Sequence, residues 1–202
     1  MSSREDLRRF YALDIDHAAL GLEPWGDPSQ RYFCTPEGAE IFAGLGCDGV
    51  HFLLLREEEQ VFCVDPMAGE GAYVLPVARG FREFLSFVLY CRDANPLSQI
   101  FWMDEPRFRA FLEEERRQSG CEPAGKEAAL AAAAEALGLE PQDPFAAVKA
   151  LQSAFDPAGL TFSGEYYDTL GLEHPRGVFP GEFPVSYPLS STLHITTGGG
   201  ES

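Results

Sequence analysis

An α+β fold is predicted for this chain, with a small, mostly antiparallel or mixed sheet and flanking helices. Three observations predict it. The runs Ile41-Phe42-Ala43, Val50-His51-Phe52-Leu53-Leu54-Leu55, Val61-Phe62-Cys63-Val64 and Tyr73-Val74-Leu75-Pro76-Val77 are apolar, β-branched or aromatic, and each is bounded by Gly, Asp or Pro, the punctuation of strands. After Gly80 the apolar period lengthens, placing Phe81, Phe84, Leu85, Val88 and Leu89 on one helical face. From Asn95 onward helix-start signals recur and no further strand pattern follows.

Taken in order, Ser3 is predicted to cap a first helix, with Asp6 three residues on and Leu7, Phe10 and Tyr11 on one face. A short helical turn after Asp16 is stopped by Gly21 and Pro24, and residues 23–29 read as a loop in which Trp25 anchors the edge of the core. Beyond the strands and the Phe81 helix, Asn95-Pro96 and Asp104-Glu105-Pro106 each start a helix. The second of these carries Phe108, Phe111 and Leu112 inward and the run from Glu113 to Arg117 outward, as a solvated face. An alanine-rich helix from Lys126 to Leu137 ends at Gly138, and Asp143-Pro144 starts another with Phe145, Val148, Leu151, Gln152 and Phe155 at helical spacing. The organisation expected is an α+β domain over 1–120, a helical extension packed on it over 121–170, and a Pro/Gly-rich tail over 171–202 strapped across the domain by Phe179, Phe183 and Tyr187.

Lys and Arg number 15 against 32 Asp and Glu, for a formal charge of −17 over 202 residues. Phosphate backbones and anionic lipid surfaces repel such a chain, so neither nucleic acid nor a membrane is an expected partner, whereas a basic protein is attracted. No apolar run is long enough to span a bilayer, and the N-terminus is charged, so a cytoplasmic location is expected. The five cysteines, Cys34, Cys47, Cys63, Cys91 and Cys121, are odd in number and contain no C-x-x-C pair, which fits neither a zinc site nor a disulfide framework. Cys63 and Cys91 read as small buried hydrophobes, and Cys47 as the exposed thiol.

Gly44-Leu45-Gly46-Cys47-Asp48-Gly49 matches the G-x-G-x-x-G phosphate-binding pattern, but a strand follows it where that motif requires a helix. Asp48-Gly49 is therefore expected in a hairpin turn. Asp48, His51 and the carboxylates of Glu57, Glu58 and Glu59 invite a hydrolase or metal-dependent reading, while the position of His51 inside an apolar strand favours a hydrogen-bonded structural role. No G-x-S-x-G nucleophile motif is present, and no catalytic residue, metal or cofactor is assigned. Glu57, Glu58 and Glu59, with Asp65 and Glu70 in the neighbouring turns, are expected to form an acidic rim at one end of the sheet. With Asp48, they are expected either to make a docking surface for a basic partner or, as a charged hairpin, to protect the strand edges from aggregation. A small-molecule-binding regulatory or adaptor domain is a further alternative, requiring a pocket between sheet and helices.

The order of these elements, namely Ile41-Phe42-Ala43, the turn with Asp48-Gly49, Val61-Phe62-Cys63-Val64, Tyr73 to Ala78, and Phe81-Arg82-Glu83-Phe84-Leu85 opening a helix, resembles the SMI1/KNR4 (SUKH) superfamily. The resemblance covers residues 38–92. It implies a non-enzymatic α+β binding domain. Bacterial members act as immunity proteins that neutralise toxins, often nucleases, and fungal members act as adaptors in cell-wall glucan synthesis. An acidic antidote to a basic nuclease suits the net charge of −17.

Overall fold

Five strands pair in sequence order as one antiparallel meander: β1 (Glu23–Pro24), β2 (Ala39–Gly44), β3 (His51–Leu55), β4 (Val61–Val64) and β5 (Val74–Ala78). The computed structural model describes residues 2–27, 29–56, 58–69, 71–118, 125–175 and 177–178. Glu57, Glu70, Cys121, His194 and the expected strap of Phe179, Phe183 and Tyr187 lie outside those residues. Seven helices accompany the sheet among the described residues: α1 (Ser3–Tyr11), α2 (Phe81–Cys91), α3 (Asn95–Gln99), α4 (Glu105–Gln118), α5 (Lys126–Leu137), α6 (Phe145–Ala154) and α7 (Gly164–Leu170). None of the described helices is long and apolar enough to cross a membrane.

The continuous apolar runs arise because the sheet is buried on both faces. Along β3, Phe52 and Leu54 enter the main core with Leu7, Phe10, Phe81, Phe84, Val88, Phe108, Leu130 and Val148, while Leu53 and Leu55 point the other way. The second face is closed by Cys34, Phe62, Val64 and Val74, with Phe33, Phe155, Phe162 and Tyr166 packed against them. Phe84 of α2 meets Phe52 at 5.0 Å and Phe42 at 5.8 Å between ring centroids. Full burial of each such ring stabilises the fold by about 1.5–3 kcal/mol. Two irregularities re-aim side chains, since the register skips at Phe42 in β2 and at Val77 opposite the start of β4.

Two local details differ from expectation. Ser2, not Ser3, caps α1, its hydroxyl accepting from the Glu5 N–H at 3.3 Å. Ser3 is buried, and its Oγ accepts from the Phe81 N–H at 3.0 Å at the start of α2 and donates to the Glu59 carbonyl at 2.8 Å. The stretch read as a loop at 23–29 begins with the two-residue strand β1, which pairs with Gly44 and Ala43. A pairing of two residues ending in proline has no periodicity to detect, and proline is confined to such edge positions.

Candidate functional site

The register sets Glu23, Gly44, His51, Val64 and Val74 in one transverse row at one end of the sheet. Beyond that row lies the β2–β3 turn, where Asp48 (φ 52°) and Gly49 (φ 71°) both adopt the left-handed region. The Leu45 N–H donates to the Val50 carbonyl at 3.0 Å and closes the turn. A strand follows the glycines, so this is the hairpin expected and not a phosphate cradle.

His51 is fully buried beneath this turn. Its Nδ1 lies 2.7 Å from the Gly49 carbonyl oxygen, which only accepts, so Nδ1 carries the proton. Nε2, 3.1 Å from Thr35 Oγ1, then accepts from the threonine hydroxyl, which itself accepts from the Tyr32 N–H at 3.1 Å. Burial, reinforced by the charge of Arg31 and opposed by the Gly49 hydrogen bond, holds the His51 pKa below its ordinary value of 6.5. The ring is neutral near neutrality and both nitrogens are occupied. It pins the turn to the loop that carries Thr35.

Trp25 and Tyr32 lie against the same ring, at centroid distances of 5.2 Å and 5.7 Å. They form one wall of an open cleft of about 320 Å³ whose lining also includes Glu23, Gln30, Cys47 and Asp48. The Trp25 indole N–H donates to the Gln30 carbonyl at 3.1 Å, and the Trp25 backbone N–H donates to Phe42 O at 3.3 Å, which fixes the ring at the strand edge. A Cβ at Gly44 would stand 3.2 Å from the indole, and one at Gly49 only 2.3 Å from the Tyr32 ring. The two rings therefore approach the turn as closely as they do because glycine is there.

The expected acidic residues divide between two ends of the sheet. Asp48 and Asp65 stand at the His51 end, and Asp65 Oδ1 accepts from the Met67 N–H at 2.9 Å in the β4–β5 turn. Glu58 and Glu59 stand at the Leu55 end, because β3 and β4 are antiparallel and the 56–60 turn joins their far ends. Four residue steps of strand, roughly 13 Å, separate the two groups, so the single rim expected from sequence is two surfaces.

These surfaces differ electrostatically. At the Leu55 end Arg4 pairs with Glu40 at 2.8 Å and donates to Glu58 O at 3.0 Å and Leu55 O at 2.7 Å. Arg31 and Arg56 line the same groove. The Glu59 carboxylate accepts from the Ser3 backbone N–H, which holds its pKa below the usual carboxylate range. At the His51 end no lysine or arginine lines the cleft, and neither Glu23 nor Asp48 has an ion-pair partner among the described residues.

No protein-family model, curated protein or solved structure matches the chain.

Other reactive groups are engaged elsewhere. Burial pushes the Cys34 and Cys91 thiols up to about 12 and raises Cys63 further, whereas Cys47 is exposed in the cleft. His17 Nε2 is 3.1 Å from Phe10 O, and His174 Nε2 is 2.7 Å from Asp168 Oδ1 beside α7. The His174–Asp168 pair has no counterpart among the sequence expectations, because its spacing crosses a helix end. No group of three or more His, Cys, Asp or Glu residues among those described is placed to hold a metal ion. Glu23, Tyr32 and Thr35 were not legible as site residues. Only Trp25 stood out, as an aromatic residue among turn formers.

Proposed function

We propose that the chain is an acidic protein-binding module of the cytoplasm that docks a basic partner on the His51 end of its sheet. The observation that carries this reading is the charge asymmetry between the two ends. A net charge of −17 attracts any basic protein, and at the Leu55 end Arg4, Arg31 and Arg56 stand among the carboxylates. At the Asp48 end Glu23 and Asp48 line a cleft with no lysine or arginine among its described lining residues, on a backbone pinned by His51. Preformed acidic surfaces speed encounter with a basic partner and fix its orientation.

The resemblance of residues 38–92 to the SUKH superfamily supports the finer statement that the partner is a toxin of the nuclease type and the chain its immunity protein. The acidic face would then occupy the surface that nucleic acid uses. Occupation of both His51 nitrogens by internal partners favours this reading over acid–base use of Asp48 and His51. Salt-graded capture of basic proteins, comparing neutralised Asp48 and Asp65 with neutralised Glu58 and Glu59, tests the reading. Loss of capture in the first pair alone supports it, and equal capture in every variant contradicts it.

A further inference from the structure

We infer that the cleft beside the β2–β3 turn is a socket for a single arginine side chain of the basic partner. This inference rests on the binding-module reading above and gives that surface its recognition chemistry. The cleft combines two features that a guanidinium needs at once. Its wall is aromatic, formed by Trp25 and the 41% exposed Tyr32, and a planar cation gains by stacking on such faces. Its rim is anionic, with Glu23 Oε2 lying 3.0 Å from where a Cβ on Gly46 would stand, and Asp48 in the turn that follows.

The size is restrictive. At about 320 Å³ the cleft sits at the lower bound of sites that take whole small molecules, roughly 300–1,000 Å³. A single long side chain with a charged head fits such a space. The guanidinium is preferred to an ammonium because its planar fork pairs with carboxylates in bidentate fashion while its face remains free to stack, and because it is less strongly hydrated. Among the described residues no lysine or arginine lines the cleft. The ring behind the wall is neutral His51, which adds no repulsive charge.

Rigidity supports the same assignment. The Trp25 indole N–H is held by Gln30 O, Tyr32 is anchored through its backbone to Thr35, and Thr35 is anchored to His51. A wall fixed before binding loses little side-chain entropy when the cation arrives.

The test is titration of the isotope-labelled full-length chain with acetylated tri-arginine amide, followed by amide and indole NMR signals, with tri-lysine and tri-glutamate as comparisons. Saturable movement of the Trp25 indole and the Gly44, Gly46 and Gly49 amides is expected with tri-arginine. Tri-lysine should bind several-fold more weakly, and tri-glutamate should leave these signals in place. The isosteric double variant Glu23→Gln, Asp48→Asn should weaken tri-arginine binding about fivefold, with an otherwise unchanged spectrum showing that the fold is intact. Movement confined to other surfaces, equal response to tri-lysine, or undiminished binding by the double variant would overturn the socket. A basic protein captured equally by wild type and double variant removes the socket and leaves the binding module standing. Intact tri-arginine binding with no basic protein ever retained removes the module and leaves the socket.

Discussion

His51 Nε2 accepts from the Thr35 hydroxyl at 3.1 Å, which ties a buried strand residue to the loop whose Tyr32 covers the β2–β3 turn. The other nitrogen holds the turn itself through Gly49 O. One imidazole thereby ties the turn to the loop beside the acidic cleft, and His51 has the hydrogen-bonded structural role that its place in an apolar strand favours.

Replacing Thr35 by Val removes the hydroxyl and leaves a buried ring nitrogen without a donor. The expected cost is about 1–3 kcal/mol, read as a lowered urea midpoint with an unchanged slope. The Trp25 indole resonance should broaden in the same variant as the wall loosens.

The depressed His51 pKa makes stability depend on pH with a definite sign. Because the folded value lies below the ordinary 6.5, the unfolded chain binds a proton between the two values that the folded chain does not. The contribution is therefore full above about 6.5 and is lost as pH falls through the folded value, at a slope of at most about 1.4 kcal/mol per pH unit. Urea midpoints measured at descending pH should fall more steeply for wild type than for His51→Phe, which lacks the titrating group.

Gly49→Ala should destabilise the protein more than Gly71→Ala. Both residues have positive φ, 71° and 82°, but a Cβ at Gly49 meets the Tyr32 ring at 2.3 Å while Gly71 has nothing within 4 Å. Backbone strain alone costs on the order of 1 kcal/mol, and displacement of Tyr32 adds to it at Gly49 only. Thermal melts of the two variants side by side check the difference.

Much of the fold was legible and the site was largely not. The strands from Ile41 to Val77 and the face of α2 announced themselves because a sheet buried on both sides needs nearly continuous apolar runs, and α2 needs a stripe. Ser3 was misassigned by one position, since its hydroxyl serves the distant Phe81 N–H and only Ser2 serves its own helix. The acidic rim failed for a topological reason. Proximity in sequence puts Glu58 near Asp65, but one antiparallel strand carries them to opposite ends. The cleft draws on β1, the loop through Tyr32 and the β2–β3 turn, a convergence that no local pattern encodes.

Thiol labelling offers an independent check on the same geometry. In the native protein Cys47 should react readily with iodoacetamide, while Cys34, Cys63 and Cys91, buried and with raised pKa values, should react only after unfolding. Peptide mapping of the labelled protein identifies each site. A basic partner seated at the turn should slow Cys47 labelling several-fold.

Removing Ser3 Oγ should cost about 1–2 kcal/mol, because Ser3→Ala leaves both the Phe81 N–H and the Glu59 carbonyl without their partner. Hydrogen exchange at the first turn of α2 should rise accordingly.

The central claim, that the His51 end of the sheet receives a basic partner, is tested most directly by salt-graded capture with two isosteric variants. Asp48→Asn with Asp65→Asn should weaken retention of a basic protein and flatten its salt dependence, while Glu58→Gln with Glu59→Gln should leave both nearly unchanged. Equal loss in the two variants, or retention unaffected by either, would contradict the account.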